Sequence, residues 1–214
     1  MKSVLLSLSI VLASCAIIDT NRIAPGYAEA FSSIKQLILG AENNIPPEVI
    51  QNIPYASMLV KIGKGPSALM ILESVKDDKY TWISADGVSL VIKNGIIIKT
   101  HGLPNNLIEK MYLDPDWENL HVNKEFISYN SFNKPSLNNL RLKSIFEKKD
   151  FEEVKLTFEI KNLRLIEERI VSQEVGWYKI NKYWIDETNF IWKSVQNISP
   201  RLPEINIEVT KKPQ

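Results

Sequence analysis

The dipeptide Asn94-Gly95, which separates two apolar runs, constrains the fold of this chain more than any other feature. Residues 88–93 precede it, residues 96–101 follow it, and both runs are rich in β-branched side chains. Asn and Gly tolerate the positive φ angles of a type I′ turn, whose twist matches that of two antiparallel strands. The sequence therefore predicts a β-hairpin centred on these two residues.

Three further runs with strand composition lie before this hairpin. Residues 55–62, 67–75 and 80–85 are separated by the turn-like segments 63–66 and 76–79. Gly and Pro in the first segment and Asp in the second favour tight turns. We predict a three-stranded meander over this region.

The second half of the chain alternates apolar and polar residues. Leu156, Phe158 and Ile160 alternate with polar neighbours, which predicts a strand from Val154 onward and a turn near Asn162. Further strands are expected over residues 163–175, 177–185, 190–197 and 205–209. Residues 103–113 are interpreted as a short helix, and residues 121–149 follow no single period.

These segments together predict a mainly β protein. About ten strands with short turns and little helix favour an antiparallel barrel-like or sandwich sheet with few short helices. Residues 27–39 carry apolar side chains at spacings of three and four, which predicts an N-terminal amphipathic helix. We expect residues 27–214 to form a single β-rich domain.

The N-terminus has the order of features found in an export signal. Lys2 precedes an apolar stretch, residues 4–12, and small residues stand just before Cys15. The run Leu-Ala-Ser-Cys resembles a bacterial lipobox, which implies removal of residues 1–14 and lipid attachment at Cys15, with palmitate among the acyl chains. An ordinary secretory signal with an incidental cysteine and a buried N-terminal helix remain alternatives.

The segment after Cys15 indicates where such a protein would reside. Residues 16–26 lack sustained periodicity, as is typical of a tether, and contain Asp19, Thr20, Asn21, Pro25 and Gly26. By resemblance to Gram-negative lipoproteins, Ala16 after the cysteine implies transfer to the outer membrane. We expect a lipid-anchored protein that faces the periplasm.

Composition argues against several classes of partner. The chain has 26 basic and 25 acidic residues, and loss of Lys2 with the signal leaves 25 of each. A balanced charge creates no net field for nucleic acid or for anionic lipid, so we expect no nucleic-acid partner.

Cys15 is the only cysteine, which excludes an intramolecular disulfide. After the signal no apolar run approaches the roughly twenty residues of a membrane span.

The usual signatures of catalysis and metal binding are missing from the sequence. His101 and His121 stand outside any cluster with metal-ligand spacing, and no Gly-x-Ser-x-Gly elbow occurs. We therefore expect no metal, no cofactor and no covalent hydrolysis. Two carboxylates on separate segments suffice for glycoside hydrolysis, so that alternative stays open. The acids in turn-like segments are Asp114, Asp116, Asp186 and Glu187.

An aromatic cluster near the C-terminus has two interpretations. Its members are Trp177, Tyr178, Tyr183, Trp184 and Trp192. Strand alternation places Trp177 and Tyr183 on one face, where they would either contact a glycan through stacking or pack in the β core.

Several patches in consistent order resemble the YjbF-type family of group 4 capsule polysaccharide lipoproteins. They are Pro54-Tyr55-Ala56-Ser57-Met58 with Gly65-Pro66; Thr81-Trp82-Ile83-Ser84-Ala85-Asp86; Asn94-Gly95 with Thr100-His101-Gly102-Leu103; and Tyr183-Trp184-Ile185-Asp186 leading to Lys193-Ser194-Val195-Gln196 and Ser199-Pro200. Cys15 is the one functional position that the resemblance transfers, and it implies no catalytic residues.

The resemblance implies an outer-membrane lipoprotein of barrel-like fold. We expect a non-enzymatic accessory factor in capsule or exopolysaccharide export or assembly, with polysaccharide or an outer-membrane export protein as its partner. Two alternatives are a periplasmic polysaccharide-modifying enzyme that uses carboxylates and a carrier of lipid or lipoprotein.

Overall fold

A computed structural model describes residues 45–112, 114–120 and 124–213. Within these residues the chain forms one short helix and twelve strands. In chain order the elements are α1 (Pro47–Gln51), β1 (Ser57–Ile62), β2 (Ser67–Lys76), β3 (Lys79–Ser84), β4 (Ser89–Lys93), β5 (Ile96–His101), β6 (Leu107–Tyr112), β7 (Glu125–Phe132), β8 (Leu137–Lys155), β9 (Ile160–Ser172), β10 (Trp177–Ile185), β11 (Ile191–Gln196) and β12 (Ile205–Lys211).

The twelve strands form one antiparallel sheet that curls into a nearly closed barrel. Their order is β5-β4-β3-β2-β1-β12-β11-β10-β9-β8-β7-β6, so nearly every neighbour in space is also a neighbour in sequence. The exception is β1 beside β12, which joins the two ends of the sheet-forming chain. The expected mainly β, barrel-like fold is confirmed.

The edge strands β5 and β6 are not paired with each other in a ladder, and side chains bond some of their backbone groups along this seam of the barrel. The backbone N–H of Leu107 donates to Thr100 Oγ1 at 2.9 Å. The side-chain amide of Gln196 in β11 donates to Gly95 O at 2.9 Å and accepts from the N–H of Ile97 at 3.0 Å. Buried backbone groups need such partners, and here interior side chains supply them.

The inward-facing residues of both halves of the barrel meet in one large core. Met58 and Leu90 come from one half, Leu142 and Ile170 from the other, and all four are almost fully buried. Alternate residues of a strand point to opposite faces, so one apolar face per strand suffices to fill the interior. These residues pack the middle of the barrel.

The helix α1 covers part of the outer surface. Pro47 occupies its first turn, where the missing N–H costs nothing, and Glu48 complements the helix dipole. Ile50 of the helix and Ile53, just beyond its end, pack against Leu69 and Ile71 of β2. This second core lies on the face of β2 opposite to the barrel interior.

One end of the barrel is crossed by the connection between β11 and β12. The backbone N–H of Asn197 donates to Asn181 Oδ1 in β10 at 2.7 Å, and Ile198 lies in the main core. The hydroxyl of Ser199 then hydrogen-bonds Asn105, in the link between β5 and β6. This crossing segment, residues 197–204, closes that end of the barrel.

The strongest local predictions from the sequence are confirmed. The hairpin is β4 and β5, with Asn94 and Gly95 at φ angles of 47° and 74°. The meander over residues 55–85 is β1, β2 and β3, with bounds shifted by two residues or fewer. Strands over residues 177–185, 190–197 and 205–209 correspond to β10, β11 and β12.

The short helix expected over residues 103–113 is wrong. Residues 107–112 form the edge strand β6, which pairs with β7 through a register that places Leu107 opposite Phe132. Both side chains are buried in the main core. A short segment has little helical stability of its own, so long-range pairing with β7 decides its conformation.

Two further predictions in the second half are also wrong. The strand expected from Val154 through Lys161 is interrupted by a tight turn, in which Leu156 N–H donates to Glu159 O at 2.8 Å. The turn expected near Asn162 is absent because β9 runs through that residue. The real turn contains neither Gly nor Pro, so apolar alternation continues across it without a visible break.

The N-terminal predictions lie outside the described residues. They are the signal over residues 1–14, the lipid site at Cys15, the tether over residues 16–26 and the helix over residues 27–39. Within the described part of the chain, no helix has both the length and the apolar character needed to cross a membrane.

Candidate functional site: an aromatic cavity at the open end of the barrel

A cavity of about 460 Å³ opens at the barrel end opposite to the crossing segment. We call it the mouth cavity. Its size falls within the range of 300–1,000 Å³ that is usual for ligand pockets. It is lined by Met58, Asp78, Tyr80, Trp82, Ile92, Lys93, Asn94, Gly95, Asp114, Asn189, Phe190, Ile191, Trp192, Lys193, Ser194, Ile207, Val209, Lys212 and Pro213.

Four aromatic side chains shape the mouth cavity. Trp82 from β3 is buried, whereas Tyr80, Phe190 and Trp192 are each partly exposed. The rings of Phe190 and Trp192 meet edge to face with centroids 5.0 Å apart. Flat rings with polar edges suit a ligand that offers both apolar ring faces and hydroxyl groups.

The carboxylate of Asp186 fixes the turn that carries two of these rings. It accepts hydrogen bonds from Trp192 Nε1 at 2.8 Å, from Phe190 N–H at 3.0 Å and from Thr188 N–H at 2.8 Å. Burial opposes ionisation of this carboxyl, but the hydrogen bonds outweigh burial, so the pKa of Asp186 is lowered. Asp186 thus orients the aromatic wall of the cavity.

On the opposite side of the mouth, Lys93 is held by acidic groups. Its Nζ lies 2.6 Å from Asp114 Oδ2, and this hydrogen-bonded ion pair raises the pKa of Lys93. The nearby carboxylate of Asp78 acts in the same direction. Burial, followed by the proximity of Asp114, raises the pKa of Tyr112, whose hydroxyl donates to Lys93 O at 3.3 Å.

Lysines lie over the aromatic rings of the β10–β11 hairpin. Lys212 Nζ is 4.3 Å from the ring centroid of Phe190, and Lys161 Nζ is 4.3 Å from that of Trp192. Ring faces attract cations at such distances. The hairpin therefore presents rings and positive charge together at the mouth.

Gly95 lines the mouth cavity at a point where β11 comes close to the hairpin turn. Its φ angle is +74°, and a Cβ added there would collide with the Cδ1 atom of Ile191 on the facing strand. The hairpin turn thus needs a glycine for its backbone angle and for the close approach of β11.

A buried polar network lies deeper in the barrel. The carboxylate of Glu168 accepts hydrogen bonds from Ser144 Oγ at 2.6 Å, Asn181 Nδ2 at 2.8 Å and Tyr183 Oη at 2.8 Å. Complete burial, followed by the proximity of Glu168, raises the pKa of Tyr183 well above its usual value. The network is inaccessible to a large ligand and holds β8, β9 and β10 in register.

The structure buries both residues that the sequence suggested for glycan contact. Trp177 is 7% exposed and Tyr183 is 0% exposed. They share the inward face, as alternation predicts, but Trp177 packs in the main core and Tyr183 beneath Trp117. Their positions correspond to the core-packing interpretation.

The rest of the aromatic cluster is divided between two surfaces. Tyr178 points outward and is 56% exposed. Trp184 and Trp192 pack on the outer face under the end of the β8–β9 hairpin, and Trp192 also lines the mouth cavity. The sequence thus identified one cavity ring, but it did not identify Tyr80, Trp82 or Phe190.

Three of the four candidate carboxylates from the sequence have structural roles. Asp116 accepts from the N–H groups of Glu118 and Asn119 in its own turn, each at 3.1 Å. Asp186 holds the hairpin turn, and Asp114 pairs with Lys93. Glu187 is exposed in the turn after β10. The described residues contain no cluster of three or more His, Cys, Asp or Glu side chains that could hold a metal ion.

A family model described as "Group 4 capsule polysaccharide lipoprotein gfcB, YjbF" matches residues 27–210. The chain belongs to this family. Curated relatives share the lipoprotein description: it is 27% identical over 154 residues to "Uncharacterized lipoprotein YjbF" of Escherichia coli K12. That match covers 69% of this chain and 71% of the relative.

Two further similarities come from the same organism. "Uncharacterized lipoprotein GfcB" is 32% identical over 65 residues, which are 30% of each chain. The crystal structure of the hypothetical lipoprotein YmcC superposes with a TM-score of 0.74 at 20% identity, over 86% of this chain and 96% of YmcC. The barrel-like fold is therefore that of a solved lipoprotein.

The patches through which the sequence resembles the YjbF family converge on the mouth cavity. Met58, Trp82, Gly95 and Ser194 come from the four patches, and each lines the cavity. Their separation along the chain gave no sign of this convergence. The curled sheet brings them together because β1, β3, β4 and β11 all contribute to one end of the barrel.

Proposed function

We propose that this protein is a lipid-anchored, non-enzymatic accessory factor in the export or assembly of a capsule or exopolysaccharide, and that it holds a short stretch of polysaccharide in the mouth cavity. The observation that carries the proposal is the aromatic cavity itself, at the open end of a barrel from a capsule polysaccharide lipoprotein family. Lipid attachment at Cys15 would keep the barrel at the outer membrane, facing the periplasm.

The chemistry of the lining supports a sugar ligand. Tyr80, Phe190 and Trp192 offer ring faces for the apolar side of a pyranose. Lys93 and Asn189 offer donors and acceptors for its hydroxyl groups. Binding pockets commonly combine apolar walls with a few placed polar groups in this way.

The crossing segment at the far end of the barrel supports a protein that holds a segment of polysaccharide over one that conducts the polymer through the barrel. The crossing segment spans the barrel from Asn181 to Asn105, and the core fills the space behind the mouth cavity. A polymer thread has no described path through the barrel. A non-enzymatic role agrees with the acids of the cavity, since Asp114 is paired with Lys93.

The carrier alternative receives less support from the interior. A carrier that shields acyl chains needs a wide apolar hollow, whereas inward residues from both halves of this barrel pack against one another. The remaining space at the mouth has charged and hydroxyl-bearing side chains on its walls. We therefore favour glycan over lipid as the ligand.

Genetic complementation tests the proposal. The gene is deleted in the organism that encodes the chain, and the amount and length of surface polysaccharide are measured. We expect a loss that the wild-type gene restores and that Phe190→Ala, which removes one ring of the cavity, restores poorly. Tyr178→Ala serves as the matched control because Tyr178 is exposed on the outer face of β10.

Two results would contradict the proposal. One is unchanged surface polysaccharide in the deletion strain under conditions where the wild type produces it. The other is full restoration by Phe190→Ala at a protein level, judged by immunoblot, equal to that of Tyr178→Ala. Equal protein levels are required so that unfolding does not imitate loss of binding.

A further inference from the structure

The β10–β11 side of the mouth cavity carries two lysines that lie over aromatic rings. Lys212 Nζ is 4.3 Å from the Phe190 centroid, and Lys193 Nζ is 5.8 Å from the Trp184 centroid. Both lysines line the cavity. A ring face attracts the cation but accepts no conventional hydrogen bond, so the N–H donors of each ammonium stay available to a ligand.

The acidic residues of the cavity are on the other side. Among the described lining residues the acids are Asp78 and Asp114, and both act on Lys93. Lys161, over the neighbouring Trp192, is paired with Glu159 at 2.9 Å. Lys212 therefore gives this side of the mouth a positive charge without an ion pair to any described carboxylate, whereas Lys193 lies opposite Glu208 in the register of β11 and β12.

We infer that the mouth cavity selects an anionic polysaccharide, in which a carboxylate or phosphate of the sugar binds Lys212 while Phe190 and Trp192 pack against the sugar ring. This inference rests on the proposed function, because it specifies the class of glycan that the same cavity holds. Lys211, the neighbour of Lys212, donates to Ile53 O at 3.1 Å and is already engaged.

An anionic ligand fits this geometry better than a neutral one. Hydrogen bonds between ionised partners are roughly twice as strong as those between neutral groups. A neutral sugar that covered Lys212 would remove water from the ammonium without returning a counter-charge. An acidic sugar restores that charge and uses the rings at the same time.

The test uses the lipidated protein, from Cys15 to the C-terminus, in detergent micelles. The probe is surface polysaccharide purified from the organism that encodes the chain, either untreated, carboxyl-reduced, or dephosphorylated with hydrofluoric acid. We expect one of the two treatments to weaken binding by about tenfold or more, which corresponds to one lost charge-assisted contact. The treatment that does so identifies the anionic group.

Variants locate the effect. Lys212→Met keeps the length of the side chain but removes its charge, and we expect it to weaken binding of the untreated polymer by about tenfold. It should bind the effective treated polymer as the wild type does. Lys64→Met is the matched control, since Lys64 is exposed in the β1–β2 turn at the closed end of the barrel.

The outcomes separate this inference from the proposed function. Binding that neither treatment changes, in wild type and in Lys212→Met, overturns anionic selection and leaves glycan holding intact. Absence of binding to all three polymers overturns both. Competition by vesicles of anionic phospholipid that depends on Lys212 would assign the lysines to a membrane surface and overturn the inference.

Discussion

The side-chain oxygen of Gln196 accepts a 3.0 Å hydrogen bond from the backbone N–H of Ile97, although the two residues lie 99 positions apart in the chain. The same amide donates to Gly95 O. One interior side chain thus replaces part of a missing strand beside β5.

We expect Gln196→Leu to destabilise the barrel by about 3 kcal/mol, because it leaves the buried N–H of Ile97 and the partly buried carbonyl of Gly95 without their partner. Urea unfolding followed by tryptophan fluorescence measures the loss. Gln173→Leu, in the exposed β9–β10 turn, is the control and should change stability little. Equal stability of the two variants would show that the seam does not depend on Gln196.

Alkaline pH should weaken the fold through Tyr183. Burial raises the pKa of this phenol in the folded chain, while the unfolded chain releases the same proton near pH 10. Stability is therefore present in full below about pH 10 and is lost as pH rises toward the folded-state pKa. Tyr183→Phe should reduce the alkaline slope of the unfolding free energy. An unchanged slope between about pH 9 and 11 would contradict this assignment.

Two glycine substitutions separate backbone strain from steric collision. Gly87→Ala, at φ +84° with open space around it, should cost about 1 kcal/mol. Gly95→Ala adds a collision with Ile191 and should cost about 2–3 kcal/mol. Thermal unfolding compares the two variants, and a smaller loss at Gly95 would disagree with the close approach of β11.

Membrane attachment should depend on one sulfur atom. Cys15→Ser removes the thiol that would receive lipid, so we expect no acylation and release of the protein from membranes. Mass spectrometry and membrane fractionation measure the two effects, with Ser3→Ala as the control within the same segment. A Cys15→Ser protein that remains acylated and membrane-bound would refute the anchor.

Local patterns predicted the strands wherever both the turn and the alternation lay within a short segment. Asn94-Gly95 required the hairpin because few other residue pairs adopt two positive φ angles. The sequence of residues 107–112 does not predict a strand, because their conformation depends on pairing with β7, which no local signal contains. The turn after Leu156 was missed because Thr157 and Phe158 continue the strand-like alternation.

The candidate site was less accessible to sequence reasoning. The mouth cavity combines residues from β1, β3, β4, β11 and β12, and only the curvature of the sheet brings these strands together. One signal for the buried network was present: Glu168 occupies an inward position between Ile166 and Ile170. A charged residue at a strand position where alternation predicts a buried apolar side chain indicates either a buried hydrogen-bond network or a functional group.

The crossing segment has a consequence for stoichiometry. Because the core and the crossing segment lie behind the mouth cavity, a ligand held there enters and leaves through the mouth, so a long polymer can offer it only a terminus or an exposed bend. If termini are the ligand, occupancy will follow the number of polysaccharide chains in the periplasm and not their total mass. The protein would then register how many chains are being exported, whatever their length.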